Sequence, residues 1–154
     1  MDEEVLKRAK KRTLYLLERM DRTEQQLRQK LQQNGYSEEV IEAAVSYAAS
    51  FGYVNDAAYA ERYVSARKGR KSCLEMKMSL LQKGVERELV EQAIDEYCEE
   101  QDELQAIQSI LEKKHYSPDE ATPEQKKRLQ EHLARKGFHY EDIHRAMQVF
   151  SSNT

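Results

Sequence analysis

Apolar residues recur along this chain in a pattern that repeats three times. Relative to Gly35, Gly84 and Gly137, apolar side chains stand at −8, −4, +1, +6, +9, +10 and +13 in every copy, and the +9 residue is always alanine. The first copy reads Leu27, Leu31, Tyr36, Ile41, Ala44, Val45, Ala48. The second reads Met76, Leu80, Val85, Val90, Ala93, Ile94, Tyr97, and the third Leu129, Leu133, Phe138, Ile143, Ala146, Met147, Phe150. The −8 and −4 residues share one face of a first helix, and +6 to +13 follow the three-or-four spacing of a second. Glycine between them supplies the left-handed turn that ends a helix. Self-similarity with glycines 49 and 53 residues apart marks a repeat architecture, in which no unit buries its apolar face alone.

Helix starts are marked as well. Thr23-x-x-Gln26, Ser72-x-x-Glu75 and Thr122-x-x-Gln125 have the form of capping boxes, the last with Pro123 at the first helical position. The third box lies further ahead of its glycine, so that helix should be nearly a turn longer. One more helix precedes each pair, at about 3–20, 56–68 and 102–114, with Asn55 or Asp56 capping the second of these. Lys68-Gly69-Arg70-Lys71 and His115–Thr122 read as loops. No segment alternates as a strand would. The expected fold is all-α, three tandem three-helix repeats over about 3–51, 55–99 and 101–151, stacked into an elongated, curved array.

Composition narrows this further. Five Gly, two Pro and no Trp argue against a turn-rich sandwich or barrel, while 34% charged residues and a mean hydropathy of −0.92 suit surface-rich helices with a narrow core. No apolar run approaches the roughly 18–20 residues that span a bilayer, and Met1-Asp2-Glu3-Glu4 does not open a secretory signal. Cys73 and Cys98, with no second pair, support neither a disulfide framework nor a zinc module, so both are expected as ordinary helix residues of a cytoplasmic protein.

A net charge of −3 hides segregation. Residues 62–77 hold six bases (Arg62, Arg67, Lys68, Arg70, Lys71, Lys77) against Glu75, whereas residues 86–104 hold nine acids against Arg87. The basic block spans a helix end, a glycine loop and a helix start. Its cations therefore converge on one area, as a polyanion or an acidic partner requires. Further cations crowd residues 7–12 and 126–136. The Gly-turn helix pairs invite a DNA-reading interpretation, but the would-be recognition helices open with Ser37-Glu-Glu, Glu86-Arg-Glu and His139-Tyr-Glu-Asp. Those acids suit a helix N-terminus and repel phosphates. Catalytic chemistry is not signalled: His115, His132, His139 and His144 form no i, i+4 metal pair, and there is no phosphate loop, nucleophile elbow or HExxH. Tyr47, Tyr59, Tyr63 and Tyr97 fall at packing positions. No cofactor or metal is expected.

The chain resembles the bacterial RecX family. Gly52-Tyr53-Val54-Asn55-Asp56-x-x-Tyr59-Ala60-x-x-Tyr63-Val64-x-x-Arg67 is similar to that family's central signature. Flanking it are Arg19-x-x-Arg22-Thr23-x-x-x-Leu27-x-x-Lys30-Leu31-x-x-x-Gly35-Tyr36, Leu80-x-x-Lys83-Gly84-Val85 and Leu133-x-x-Lys136-Gly137-Phe138. The chain departs in having Asn55-Asp56 where two acids are frequent, and Asn34 where Lys is. The resemblance implies nine helices in three units and a protein that catalyses nothing itself; a monomer is expected. That protein would bind the RecA recombinase, lodge in the groove of the RecA–single-stranded-DNA filament, and restrain strand exchange, ATP hydrolysis and co-protease activity in recombination, DNA repair and the SOS response. The 62–77 cations are the expected contact residues. Alternatives are a helical protein-interaction scaffold unrelated to RecA, or a module that binds DNA weakly and without sequence preference through phosphates.

Overall fold

The Asp2 carboxylate accepts the amides of Glu4 and Val5 and starts α1, Glu3–Arg19, whose apolar face buries Ala9 and Leu16 with Thr13 between them. Thr13 is tolerated in that core because its hydroxyl donates to the Ala9 carbonyl at 2.8 Å, one turn back. The computed structural model describes residues 1–150, so the expected end of the third unit at Ser151 lies outside the described residues. The remaining elements are α2 (Glu24–Gln33), α3 (Glu38–Ser50), α4 (Asp56–Arg67), α5 (Cys73–Gln82), α6 (Arg87–Tyr97), α7 (Glu100–Lys113), α8 (Pro123–Arg135) and α9 (Tyr140–Val149). Among the described residues there are nine helices and no strand: the fold is an all-α tandem repeat. None of these helices is long and apolar enough to cross a membrane.

The capping residues act as their spacing predicts. Thr23 and Thr122 each accept the amide three residues on, while Gln26 and Gln125 reach back to the cap's own amide. The α8 helix runs 13 residues against 10 for α2 and 10 for α5, the extra turn being Pro123-Glu124-Gln125. α7 begins two residues before the expected 102, because Glu99 and Asp102 form a further capping pair.

The helices form two compact units. Among the described residues, one comprises 1–60 with 80–90, the other 61–79 with those from 91 onward. In the first, α1, α2 and α3 enclose Leu27, Leu31, Val40, Ile41, Ala44, Val45 and Ala48, with Tyr36 packed at the edge. In the second, α7, α8 and α9 enclose Ala106, Ile107, Leu111, Leu133, Phe138, Ile143, Ala146 and Met147. Met76, Leu80, Val85, Val90 and Ala93 of the middle copy are buried too. Fully burying a leucine such as Leu27 or Leu133 stabilises the fold by about 1.5–3 kcal/mol. The apolar columns of the sequence supply much of the core, joined by residues of the preceding helices such as Ala9, Val64 and Ile107.

Within the first unit, the start of α2 is held from outside its own helix. Thr23 Oγ1 donates to the Lys83 carbonyl at 2.6 Å, and the Glu24 amide donates to Asp56 Oδ1 at 2.9 Å. Burial pushes the Asp56 carboxyl above its ordinary range, opposed by the Glu24 amide.

Candidate functional site

The basic block occupies the end of α4, the turn after it and the first half of α5, all in the second unit. The Lys68 amide closes onto the Val64 carbonyl at 2.8 Å, and the amides of Arg70 and Lys71 both return to the Arg67 carbonyl at 3.1 Å. Four cations, Arg67, Lys68, Arg70 and Lys71, therefore share one tight turn at a helix C-terminus, where positive charge complements the peptide dipoles. Arg62 and Lys77 stand on the helices either side of it. Lys68, Arg70, Lys71 and Arg62 are exposed, whereas Arg67 and Lys77 are half-buried.

The six differ in how far they are engaged. The Arg67 guanidinium lies 3.8 Å from the Tyr63 ring centroid and donates to the Tyr63 carbonyl at 3.4 Å. Tyr63 in turn donates its phenol to Ser79 Oγ at 2.8 Å, so Arg67 is the cover of a packed cluster. Lys77 Nζ is 3.4 Å from Glu91 Oε1, a part-exposed ion pair. The Arg70 guanidinium caps the α4 carbonyl of Ala66. Behind the turn, the Tyr97 phenol donates to the Glu61 carboxylate, which pushes its pKa up to about 12.

The start of α5 is built around Ser72. Its buried hydroxyl accepts the Glu75 amide at 3.0 Å and donates to the Lys136 carbonyl, so the third predicted cap is present with its donor turned to another helix end. The next amide, that of Cys73, donates to Glu103 Oε1 at 2.6 Å. Burial raises the Glu103 carboxyl above its ordinary range, with the Cys73 amide pulling the other way and Asp142, His139 and Glu75 adding smaller influences.

The two cysteines are not ordinary helix thiols as expected. Cys73 and Cys98 are joined by a disulfide, their Cα atoms 6.8 Å apart. Chain spacing alone could not show this. Cys73 opens α5 and Cys98 follows α6, so they meet only because the chain turns at Gly84 and returns. Glu103 lies within 4.8 Å of both sulfurs, the one Cys-containing group of possible metal donors among the described residues. Bonded to each other, the two sulfurs are not available as thiolate ligands.

Other charged clusters serve packing or line surface clefts. In the first unit Lys10 lies over the Tyr47 ring at 4.5 Å, and Arg12 donates to Asn34 Oδ1 at 2.8 Å. Tyr47 continues into Phe51 and Tyr53, the latter two 58% and 55% exposed and stacked at 5.5 Å. This exposed aromatic ladder went unnoticed in the sequence, although its last two members fall outside the seven core columns. In the second unit His115 and His132 share a cleft of about 540 Å³ with Lys114 and Arg128. Burial, then the charges of Lys114, Lys136 and Arg135, lower the His132 pKa. Tyr59 and Tyr63 are buried, Tyr47 and Tyr97 half-buried, as their spacing predicts.

Comparison with known proteins places all three segments in one family. Models of the RecX first, second and third three-helix domains match residues 9–47, 55–94 and 100–147. The chain is 35% identical over 144 residues to the regulatory protein RecX of Caldanaerobacter subterraneus subsp. tengcongensis, covering 93% of this chain and 71% of that one. It is 33% identical to that of Trichlorobacter lovleyi, covering 81% and 84%. The crystal structure of RecX from Lactobacillus salivarius shares its fold, with a TM-score of 0.80 at 22% identity over 94% of this chain and 96% of the other.

Proposed function

The chain belongs to the RecX family of regulatory proteins, and on that premise we propose that it is a non-catalytic negative regulator of recombination in the bacterial cytoplasm. Its partners are the RecA recombinase and the RecA–single-stranded-DNA filament. It binds in the filament groove as a monomer, bridges recombinase subunits, and so restrains strand exchange, ATP turnover and co-protease activity. The working units are the three-helix repeats at about 3–51, 55–99 and 101–151. The observation that carries this reading is the match of the three RecX domain models, in order, over residues 9–147.

Contact is assigned to the basic turn. Lys68, Arg70 and Lys71 project from a helix end whose backbone is already satisfied, so association orders little chain. A chain of net charge −3 approaches a polyanion through such a local patch, not through its average field. The test is RecA ATPase on single-stranded DNA, titrated with this protein at substoichiometric ratios. Inhibition is expected from the native chain and relief from Arg67→Glu/Arg70→Glu/Lys71→Glu with circular dichroism unchanged. Full inhibition by the folded triple variant rejects this patch, and an indifferent recombinase rejects the function.

A further inference from the structure

We propose that Cys73 and Cys98 are a reversible oxidation site, and that the bond between them regulates how firmly the neighbouring cationic turn is held. The regulatory half rests on the contact reading above; the chemistry of the site does not.

Two helix starts in this molecule are anchored alike. At the start of α2 a cap hydroxyl (Thr23) bonds the Lys83 carbonyl, and the following amide (Glu24) bonds the Asp56 carboxylate. At the start of α5 the same two anchors recur: Ser72 on Lys136, and the Cys73 amide on Glu103. The residue after the cap is Glu24 in one place and Cys73 in the other, so a sulfur is not part of what this junction needs. The bridge to Cys98 is an addition to an anchor that is complete without it. Such a bond can be made and broken while the helix start stays in place.

Its position gives it consequence. Cys73 directly follows the turn that carries Lys68, Arg70 and Lys71, and the bridge fixes the far end of that turn to the end of α6. Both cysteines are only half-buried, within reach of small oxidants and thiols. The oxidant class is a peroxide. The thiolate of Cys73 attacks one peroxide oxygen. The O–O bond breaks, hydroxide leaves and is protonated to water, and Cys73 becomes a sulfenic acid. The Cys98 sulfur then attacks the Cys73 sulfur, the S–O bond breaks, and the departing hydroxide takes the Cys98 proton as a second water. Two thiols lose two electrons in total and one peroxide gains them. A small dithiol reverses the bond by exchange.

The helix start keeps its two hydrogen bonds without the bridge, so what the covalent link removes is the small residual freedom of the turn that runs into it, and with it the little ordering its cations still undergo on meeting a partner. The reduced chain should therefore need roughly five- to thirtyfold more protein for half-inhibition of RecA ATPase, the order of effect of freeing about one residue of backbone. The experiment uses the full chain treated with hydrogen peroxide or with dithiothreitol. Maleimide labelling with mass spectrometry counts its free thiols, and RecA ATPase is then titrated with each form. Expected are no free thiols after peroxide and two after dithiothreitol. The shift in half-inhibition should separate the two forms and vanish in Cys98→Ser. Two free thiols after peroxide, or a bridge that resists dithiothreitol in the folded chain, overturns the oxidation site. Equal inhibition by the two wild-type forms overturns the regulation, and that measurement needs no variant to fold. Should neither form inhibit, the contact reading fails and the regulation with it, while the thiol count still decides the chemistry.

Discussion

The hydroxyl of Ser72 donates to the carbonyl of Lys136, and Thr23 makes the same bond to Lys83. Each acceptor immediately precedes a repeat glycine, and each donor is the cap of the second helix in the preceding copy. Two residues beyond each cap, a side chain packs onto that glycine: Gln25 on Gly84 and Leu74 on Gly137. The Asp56 and Glu103 carboxylates complete the pattern. One junction of hydroxyl, carboxylate and glycine is thus built twice, once within each compact unit.

The junction hydroxyls should matter more than an ordinary cap. Thr122 is exposed and caps α8 alone, so Thr122→Ala is expected to cost about 1 kcal/mol. Ser72→Ala removes a cap and also leaves the part-buried Lys136 carbonyl without this donor, which adds about 0.5–1.5 kcal/mol, the net worth of an ordinary hydrogen bond. Urea unfolding of the two variants should separate them in that order; equal losses would mean that the Lys136 bond contributes nothing net.

Glycine substitutions should divide in the same way. Gly35 and Gly137 share a left-handed φ, +89° and +99°, which penalises any side chain by about 1–2 kcal/mol. A Cβ on Gly35 would meet nothing within 4 Å, whereas one on Gly137 would lie 2.6 Å from Leu74 Cβ, an atom fixed to its own backbone. Gly137→Ala should therefore cost a further 1–3 kcal/mol or so through overpacking. The readout is the difference in denaturation midpoint between Gly35→Ala and Gly137→Ala; Leu74→Gly, which removes the Cβ itself, should narrow that difference, whereas Leu74→Ala leaves the closest contact in place.

The buried carboxylates give the fold an unusual pH response. Asp56 and Glu103 are both raised, chiefly by desolvation, so the folded chain holds protons that the unfolded chain has released. By linkage, their contribution to stability is complete below the unfolded carboxylate values of about 3.9–4.3 and is lost as pH rises through the folded values. Glu103→Gln keeps an acceptor for the Cys73 amide without the charge. Its urea midpoint should gain on wild type steadily between pH 4 and pH 7. Parallel profiles would show that Glu103 titrates normally.

Much of this was legible in the sequence, and what was not has a physical reason. The seven apolar columns became the cores, since Leu27, Leu31, Leu133 and Ile143 obey helical periodicity that any fold of these helices must satisfy. The Thr23 and Thr122 caps depend on residues three apart and were visible for that reason. The anchors of Cys73 come from Cys98 and Glu103, 25 and 30 positions away, and depend on how helices return after their turns. No local rule carries that information. Clustering likewise found the six cations but not their engagement: whether Lys77 faces solvent or Glu91 is settled by the α6 surface, not by the block itself.

That engagement orders the effect of single charge reversals. Lys68 and Lys71 are exposed on the turn, and an exposed cation brought against a phosphate or carboxylate loses little existing interaction, whereas Arg70, though exposed, would first leave the Ala66 carbonyl. Lys77 would first have to leave Glu91, and Arg67 the face of Tyr63 and its carbonyl. If the turn is the contact, Lys71→Glu should weaken inhibition of RecA ATPase several-fold with unchanged thermal stability, and more so at low salt, where charge contributes most. Lys77→Glu should act less on inhibition because its charge is already offset, and Arg67→Glu should lower the melting temperature by unroofing Tyr63. Half-inhibition concentrations at two ionic strengths, set beside melting curves, test the order; a Lys77 effect larger than that of Lys71 would move the contact from the turn onto the α5 face.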